Sequence, residues 1–332
     1  MSTIGIIANP ASGKDIRRLV SHATVIDNNE KVNIIERIIL GAQKFGVSKV
    51  YIMPDSYVMG YKVEKKLKLS GELSAVIETL DYKIKAGPID TEIAAKLLEE
   101  KAVGCLVILG GDGTHRLAAK HLDQVPMIGV STGTNNAYPK LMEGTVVGMA
   151  AAAIATGHEK YKKAYKRDKI IEIKKNGEYI DLALVDVVIS DAIVIGSKAI
   201  WNIENIKQII VSKAHPASIG FSSIIGVNKI VSEANAFGAM LTINQGENNF
   251  LAPLAAGKIV AIQSETVKEI PMNKAVNWLA TYKGVIAVDG EREIRFKKGD
   301  VFSFTITRNG PLHVQVEKTL EIALEENFYQ NQ

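Results

Sequence analysis

Residues 104–119 read GCLVILGGDGTHRLAA, and this stretch decides the first half of the fold. The run at 104–109 is continuously apolar, as in a strand buried on both faces of a parallel sheet. Glycines, Asp112 and Thr114 follow it, and the next residues predict a helix. Since ligands of open α/β sheets bind at the carboxyl ends of the strands, we expect a site here.

Asp112 is the residue of this loop that carries chemistry. Glycines allow backbone N–H groups to approach a phosphate, and the N-terminus of the following helix favours an anion. A carboxylate would repel phosphate unless a metal ion or a substrate hydroxyl lay between them, so Asp112 is predicted to bind magnesium or to accept a hydroxyl proton. The expected phosphate loop is Gly110, Gly111, Gly113 and Thr114, with Thr114 also capping the helix. A plain Asp-Gly turn is the alternative interpretation.

The rest of the first half alternates strand and helix patterns. Strands are expected at 4–8, 49–53 and 126–130, and helices at 32–45, 89–101 and 148–155. This alternation predicts a parallel sheet with helices on both faces. We expect an α/β nucleotide-binding domain over residues 1–160 and interpret the lysine-rich stretch at 160–169 as a solvated linker.

The second half, residues 161–332, predicts a β-sandwich that forms the substrate domain. Segments 169–175 and 179–190 flank Asn176-Gly177, a strong hairpin signal. Further short strands are expected at 258–263, 284–288, 293–296, 301–307 and 313–316. A helix is expected at 320–328, where it could pack against the first domain.

Two more polar loops follow predicted strands. GVSTGTNNAYP at 129–139 offers short hydrogen-bonding side chains suited to phosphate or ribose oxygens. NPASGK at 9–14 is not a Walker P-loop, because Ala8 stands where that motif needs its first glycine. The expected nucleotide-binding residues of these loops are Asn9, Ser12, Gly13, Thr132, Gly133, Thr134, Asn135 and Asn136.

Composition excludes several classes of protein. The 332 residues are 47% hydrophobic and 23% charged, which excludes a mainly disordered chain. A net charge of +4, spread along the chain, is too weak to indicate nucleic-acid binding. A single cysteine, Cys105, excludes an internal disulfide and a multi-cysteine metal site. We expect neither a signal peptide nor a membrane span, and therefore a cytoplasmic location.

The three loops at 9–14, 110–114 and 126–136 together resemble those of the superfamily of NAD kinases and diacylglycerol or sphingosine lipid kinases. GGDGT at 110–114 is its signature, NPASGK resembles the lipid-kinase NPxSG, and 126–136 resembles the lipid-kinase P-x-G-T-x-N-D loop. ALVDVVI at 183–189 resembles the NAD-kinase strand A-x-N-E-V-V-L, with Val185 and Asp186 in place of Asn-Glu. VDGE at 288–291 lies where NAD kinases have DGQ and lipid kinases have DGE. The whole chain also looks like the AcoX group, which is NAD-kinase-like.

The resemblance implies an NAD-kinase-like fold, with an α/β N-terminal domain, a β-sandwich C-terminal domain and a nucleotide cleft between them. It implies phosphoryl transfer from ATP, with Mg²⁺, to a hydroxyl of a small molecule, and a homo-oligomer. Asp186 would bind the adenosine part of NAD, and Asp289 and Glu291 would supply a second carboxylate for metal, although Asp-Gly at 289–290 is also a common turn. The acceptor is expected to be NAD; a lipid or another polyol is the alternative, as is a catalytically silent nucleotide-binding regulator.

Overall fold

The computed structural model describes residues 2–12, 26–133, 136–157, 159–191, 203–290 and 292–330. The α-helices are α1 (Asn28–Lys44), α2 (Met59–Leu69), α3 (Ile89–Glu100), α4 (Asp112–Ala119), α5 (Gly144–Gly157), α6 (Phe221–Gly226) and α7 (Val316–Glu325). The first strands are β1 (Thr3–Ala8), β2 (Lys49–Ile52), β3 (Val76–Thr79), β4 (Cys105–Gly110), β5 (Met127–Ser131), β6 (Tyr165–Arg167), β7 (Ile170–Lys175), β8 (Glu178–Ala183) and β9 (Asp186–Ser190). The others are β10 (Ile206–Val211), β11 (Phe237–Ala255), β12 (Lys258–Ser264), β13 (Lys268–Pro271), β14 (Ala275–Leu279), β15 (Gly284–Val288), β16 (Arg292–Phe296), β17 (Val301–Thr307) and β18 (Leu312–Val314).

The first sheet has the strand order β3-β2-β1-β4-β5-β18-β6. Strands β1 to β5 are parallel, which confirms the predicted parallel α/β sheet. Along the chain, the sheet grows from β1 to β2 and β3 on one side, and then to β4 and β5 on the other. The point of reversal therefore lies between β1 and β4, where open α/β sheets bind their ligands.

Helices cover both faces of this sheet. Helix α1 begins after Asp27, whose side chain accepts a hydrogen bond from the Glu30 N–H. Its buried positions Ile35, Ile38 and Ala42 follow helical spacing and join one core cluster. Helix α5 packs closely against α1, because a Cβ at Gly148 would come within 2.2 Å of the Ile38 carbonyl oxygen. A second cluster under α3 and α4 fills the opposite face.

The end of the chain returns to this first sheet. Strand β18 lies between β5 and β6, parallel to β5 and antiparallel to β6. Helix α7 then buries Val316, Ile322 and Ala323 in the same core as α1. The ring of Phe328 stacks on that of Phe45 with centroids 4.9 Å apart. The division of the chain at residue 160 stays a prediction.

The second half forms two antiparallel sheets, which confirms the predicted sandwich. One sheet runs β12-β11-β10-β9-β15-β16 with β13 on β11, and the other runs β14-β17-β7-β8. Their facing apolar side chains, including Ile173, Ile210 and Phe304, share one core cluster. Sandwiched sheets of this kind bury alternate residues of each strand.

Two local expectations were wrong. The segment at 179–190 is not one strand: β8 and β9 lie in different sheets, because the Leu184 and Val185 N–H groups donate to the Asp289 carboxylate between the two strands. The basic stretch at 160–169 is not wholly solvated, because Asp168 and Lys169 are buried. The Lys169 ammonium donates to backbone carbonyls at 2.7 and 2.9 Å instead of facing water.

Within the described ranges, no helix combines the length and the apolar character that crossing a bilayer requires.

Candidate functional site

Three loops meet at the carboxyl ends of β1, β4 and β5. The Asn9 amide after β1 donates to the Thr114 hydroxyl at 2.9 Å. The Ser12 hydroxyl lies 2.9 Å from that of Thr132, which follows β5. The Thr132 N–H in turn donates to the Gly110 carbonyl at the end of β4. The structure therefore brings together residues that the sequence singled out in three separate segments.

Thr114 does not cap helix α4 as expected. The residue at the N-cap is Gly111, and no side chain caps the helix. The Thr114 hydroxyl instead accepts the hydrogen bond from Asn9 and ties the loop after β1 to the first turn of α4. That first turn leaves backbone N–H groups without partners inside the helix, which is the usual arrangement at an anion site.

A buried lysine holds the loop after β1 in place. Lys31 on α1 is fully buried, and its ammonium donates to the carbonyls of Asn9 at 2.9 Å and Ser12 at 2.8 Å. It also donates to the Asn28 side chain at 3.1 Å. Because its donors reach backbone oxygens of the loop, Lys31 orders the loop.

Asp112 is the first residue of α4 and lies at the centre of the three loops. Its side chain is 9% exposed. One carboxylate oxygen accepts the Ala137 N–H at 3.0 Å, and the other accepts the Tyr138 N–H at 2.9 Å. Asp112 therefore fixes the loop after β5 as well as offering a carboxylate beside the expected phosphate position.

Glycines make this convergence sterically possible. A Cβ at Gly110 would come within 2.5 Å of the Thr114 side chain. A Cβ at Gly133 would lie 2.7 Å from the Asn136 amide oxygen and 3.1 Å from the Gly111 Cα. Gly133 thus packs against the backbone of Gly111, and Gly110 against the side chain of Thr114, which explains the need for glycine at positions 110 and 133.

Asn136 folds back on its own loop, and its amide donates to the Ser131 hydroxyl at 2.7 Å. The role of Gly113 in the phosphate loop stays a prediction, although the residue is buried in the first turn of α4. Four further predicted site residues lie outside the described residues: Gly13, Thr134, Asn135 and Glu291.

His115 is not a surface residue of the first helical turn. It is fully buried, and its Nδ1 lies 2.8 Å from the Gly111 carbonyl oxygen. Burial lowers the pKa of His115 to about 4, so the ring is neutral at pH 7 and Nδ1 carries the proton. His115 therefore supports the glycine loop and brings no charge to a phosphate.

A cavity of about 350 Å³ opens beside the loop after β1. Its walls come from the carboxyl ends of β1 and β2, the segment before α3, and α4. Residues of its lining include Asn9, Pro10, Asp55, Tyr57, Asp90 and Thr114. Its mixed apolar and polar walls and its size are typical of a small-molecule pocket.

The opposite side of the site is the start of β9. Asp289 is fully enclosed, and its carboxylate accepts the N–H groups of Leu184 and Val185 at 2.8 Å and of Asp186 at 3.1 Å. Burial raises the pKa of Asp289, and the Arg116 guanidinium 4.0 Å away offsets this only in part. Asp289 thus shapes the strand break that positions Asp186, and a metal-binding role for it stays a prediction.

A polar cluster joins the first sheet to the sandwich next to Asp112. We define this junction cluster as Tyr138, Asp168, Lys213, Glu233 and His313. The Tyr138 hydroxyl donates to Asp168, whose same oxygen lies 3.0 Å from the His313 Nδ1. The Lys213 ammonium lies 4.0 Å from that oxygen and 3.3 Å from the Glu233 carboxylate.

Charge pairing sets the ionisation of this cluster. Burial alone would raise the pKa of Asp168, but Lys213 and His313 and the two hydrogen bonds hold it well below its usual range. Burial disfavours the Lys213 ammonium, yet Asp168 and Glu233 raise its pKa. An ionised carboxylate and a charged lysine therefore face each other where the first sheet meets the sandwich.

Sequence reasoning missed the junction cluster and Lys31. Lys31 carried a usable signal, because it shares the buried helical face of Ile35, Ile38 and Ala42 in α1. A charged residue at such a position is rarely buried unless it is paired. The junction cluster carried no such signal, since its members come from loops and strands far apart in the chain.

The residues present fit a magnesium ion held mainly by nucleotide phosphates. Mg²⁺ is commonly bound through one or two carboxylates together with substrate phosphates. Asp112, beside the N-terminus of α4, is the carboxylate that would hold it, as the alternative to accepting a hydroxyl proton. Within the described ranges, no group of three or more His, Cys, Asp or Glu side chains is arranged to bind a metal without a nucleotide.

Comparison with known proteins finds relatives for both halves of the chain. Residues 4–159 match the ATP-NAD kinase N-terminal domain, and residues 169–309 match the acetoin catabolism protein X C-terminal domain. Acetoin catabolism protein X of Cupriavidus necator is 33% identical over 330 residues, which cover 96% of this chain and 90% of that relative. The kinase-type N-terminal domain supports a phosphotransferase. The chain therefore belongs to the acetoin catabolism protein X family, as the AcoX resemblance predicted.

Proposed function

We propose that this protein transfers the γ-phosphoryl group of ATP to a hydroxyl of a small molecule, with NAD as the acceptor and NADP as the product. The observation that carries this proposal is the position of Asp112, whose carboxylate lies where the loops after β1, β4 and β5 converge. Enzymatic phosphoryl transfer depends mainly on positioning and on charge stabilisation, which such a rigid constellation supplies.

In this proposal, Asp112 accepts a hydrogen bond from the acceptor hydroxyl and takes its proton as the oxygen attacks the γ-phosphorus. The bond from the γ-phosphorus to the bridging oxygen breaks, and ADP leaves with that oxygen. Mg²⁺, where bound, neutralises charge on the phosphates. The N–H groups of the first turn of α4, after Gly110 and Gly111, bind phosphate oxygens.

The loop residues Asn9, Ser12, Thr132 and Asn136 hold the phosphate site in shape in this proposal. The cavity beside Asn9 accommodates part of a nucleotide in this proposal. Asp55 and Asp90 in its wall accept backbone N–H groups and hold the wall in shape. Asp186 at the start of β9 binds the adenosine part of NAD. Val185 stands in place of the amide that NAD kinases have next to this carboxylate, so Asp186 is the polar group of this pair that would bind NAD.

Separate observations support an acceptor other than NAD, either a lipid or another small molecule with a hydroxyl group. The opening loop and the TGTNN loop resemble lipid kinases, and the relative in Cupriavidus necator is named for acetoin catabolism. Acetoin is a small molecule with one secondary hydroxyl. Both classes keep the same role for Asp112 and differ only in the acceptor.

A coupled assay tests the proposal. The purified protein receives Mg²⁺-ATP and NAD, and an NADP-specific dehydrogenase detects NADP; parallel reactions replace NAD by acetoin or diacylglycerol and follow ADP release. NADP formation supports an NAD kinase. ADP release that depends on another compound would instead identify that compound as the acceptor. ATP binding without release of ADP with any acceptor would reject catalysis in favour of a nucleotide-binding regulator.

Asp186→Ala tests the acceptor half alone. We expect weaker NAD binding with unchanged ATP binding, because the carboxylate is placed on the sandwich side of the site. Equal affinity of the variant and the wild type for NAD would reject the role of Asp186.

A further inference from the structure

A phosphoryl-transfer site needs cationic groups that face the phosphates. Several cations near Asp112 already serve the protein itself. The Lys31 ammonium lies within 3.1 Å of three oxygens that order the loop after β1. The Arg116 guanidinium donates to Asp181 at 2.8 Å, and its side chain is only 1% exposed. These two cations have no access to a ligand in this arrangement.

Lys213 differs from them in its contacts and in its exposure. Its ammonium lies 3.3 Å from Glu233 and 4.0 Å from Asp168, and 21% of the side chain is exposed. Both distances exceed the 2.7–2.9 Å typical of a strong charge-assisted hydrogen bond. The surrounding carboxylates therefore keep Lys213 charged and in place without engaging it in a short bond.

The charge of Glu233 is also divided among other partners. Its Oε1 accepts the Lys169 N–H at 2.8 Å and lies 3.2 Å from the Arg308 guanidinium, whereas its Oε2 lies 3.3 Å from the Lys213 ammonium. Glu233 therefore neutralises Lys213 only in part. An anion that approached Lys213 would compete with two long contacts and not with a closed ion pair.

Lys213 is also close to the proposed reaction centre. Its ammonium lies 4.5 Å from the centroid of the Tyr138 ring. The backbone N–H of the same Tyr138 donates to Asp112 at 2.9 Å. Lys213 follows β10, which pairs with β9 so that Val211 lies opposite Asp186. It thus lies at the junction, between the Tyr138 loop and the strand that begins with Asp186.

We propose that Lys213 binds a phosphate oxygen of the substrate at the junction between the first sheet and the sandwich. This inference rests on the proposed function for the identity of the substrate that carries the phosphate. The binding of an anion by Lys213 does not depend on that function. The phosphate comes either from the donor nucleotide or from the pyrophosphate of a dinucleotide acceptor, and both present the same oxygens to an ammonium.

Binding measurements on Lys213→Met and Lys213→Arg test the proposal. Titration calorimetry gives the affinities for ADP, for NAD and for adenosine, which lacks phosphate. A charge-assisted hydrogen bond is worth roughly 10- to 100-fold in affinity. We expect K213M to lose that much for ADP or for NAD, K213R to recover part of it, and adenosine to bind all three proteins equally.

The pattern of loss identifies the source of the phosphate. A loss for ADP alone places the donor phosphates on Lys213, and a loss for NAD alone places the acceptor pyrophosphate there. The affinity of the wild type should also fall more steeply with added salt than that of K213M. Unchanged affinities and salt dependence in a folded K213M would overturn the proposal.

Lys229→Met is the matched control. Lys229 also belongs to the sandwich half and pairs with a carboxylate, Glu269, at the surface. Its removal should leave all three affinities unchanged, and a loss equal to that of K213M would make the effect one of general charge and overturn the proposal.

If K213M does not fold, a second variant tests the same contact. Glu233→Gln removes the carboxylate 3.3 Å from Lys213, and we expect stronger binding of the phosphate ligand, because Lys213 loses a competing anion. Weaker or unchanged binding in folded E233Q would contradict the proposal. ADP binding that depends on Lys213, without phosphoryl transfer, would reject the proposed function and support the role of Lys213. Phosphoryl transfer by K213M with unchanged kcat and KM would reject the role of Lys213 and support the proposed function.

Discussion

The Asp112 carboxylate and the Tyr138 backbone N–H are joined by a hydrogen bond of 2.9 Å across 26 residues of sequence. This bond fastens the loop after β5 to the first residue of α4. A single carboxylate therefore organises two loops and stands at the proposed reaction centre. Substitutions of Asp112 must accordingly be judged on folding and on turnover together.

Asp112→Asn is expected to lower the free energy of unfolding by about 1–3 kcal/mol. The amide can keep one oxygen against one backbone N–H, but its NH2 group faces the other, so Ala137 or Tyr138 loses its acceptor. Urea unfolding followed by circular dichroism measures the change. A variant as stable as the wild type would mean that these two bonds do not order the loop.

Lys31→Met is expected to lower the free energy of unfolding by a similar amount, about 1–3 kcal/mol. The substitution leaves the buried carbonyls of Asn9 and Ser12 without their donor. ATP affinity should fall as well, because the loop after β1 loses its anchor. Urea unfolding and ATP titration provide the two measurements.

The control is Lys44→Met, on the exposed side of the same helix. Surface substitutions of this kind usually change stability by less than about 0.5 kcal/mol. If K31M and K44M behaved alike, Lys31 would have no role in ordering the loop.

Stability should fall as the pH is lowered from 6.5 towards 4, and His115 should cause part of the fall. The folded-state pKa of His115, about 4, lies below the unfolded value of about 6.5, so in this window only the unfolded chain takes up the proton. The full effect, reached below pH 4, is on the order of 3 kcal/mol. Above pH 6.5 the residue contributes no pH dependence.

His115→Asn keeps an N–H donor near the Gly111 carbonyl but cannot titrate. Urea unfolding at pH 7 and pH 4.5 should show a smaller loss for this variant than for the wild type. Parallel pH profiles for H115N and the wild type would contradict the assignment.

Asp289→Asn separates a structural role from a metal-binding one. The carboxylate accepts three backbone N–H groups between β8 and β9, so we expect a loss of about 1–3 kcal/mol in unfolding free energy with or without Mg²⁺. Asp81→Asn, at an exposed position, is the control and should be neutral. A loss seen only in the presence of Mg²⁺ would instead support the predicted metal role.

Local patterns predicted the strands and the helix that surround the candidate site. The buried run before Gly110 and the glycines after it indicated β4, the turn and α4, and the structure follows that order. The loops containing Asn9 and Thr132 also follow strands as expected, and parallel pairing brings them together.

The features that the sequence did not predict depend on contacts between residues far apart in the chain. The segment at 179–190 has a continuous strand pattern, and only the distant Asp289 divides it into β8 and β9. Asp168 is buried and Lys213 partly buried, and the charges that compensate them come from partners many residues away. A sequence read locally assigns such residues to solvent, because their compensating charges are not neighbours in the chain.

The role of Asp112 in phosphoryl transfer is tested by the rate of transfer from Mg²⁺-ATP to NAD, measured for the wild type and for Asp112→Asn, each first checked for folding and ATP binding. Loss of a general base typically costs about 100- to 10,000-fold in rate. We expect NADP formation by the wild type and a loss of that size in folded, ATP-binding D112N. Equal rates of NADP formation by the two proteins would contradict that role.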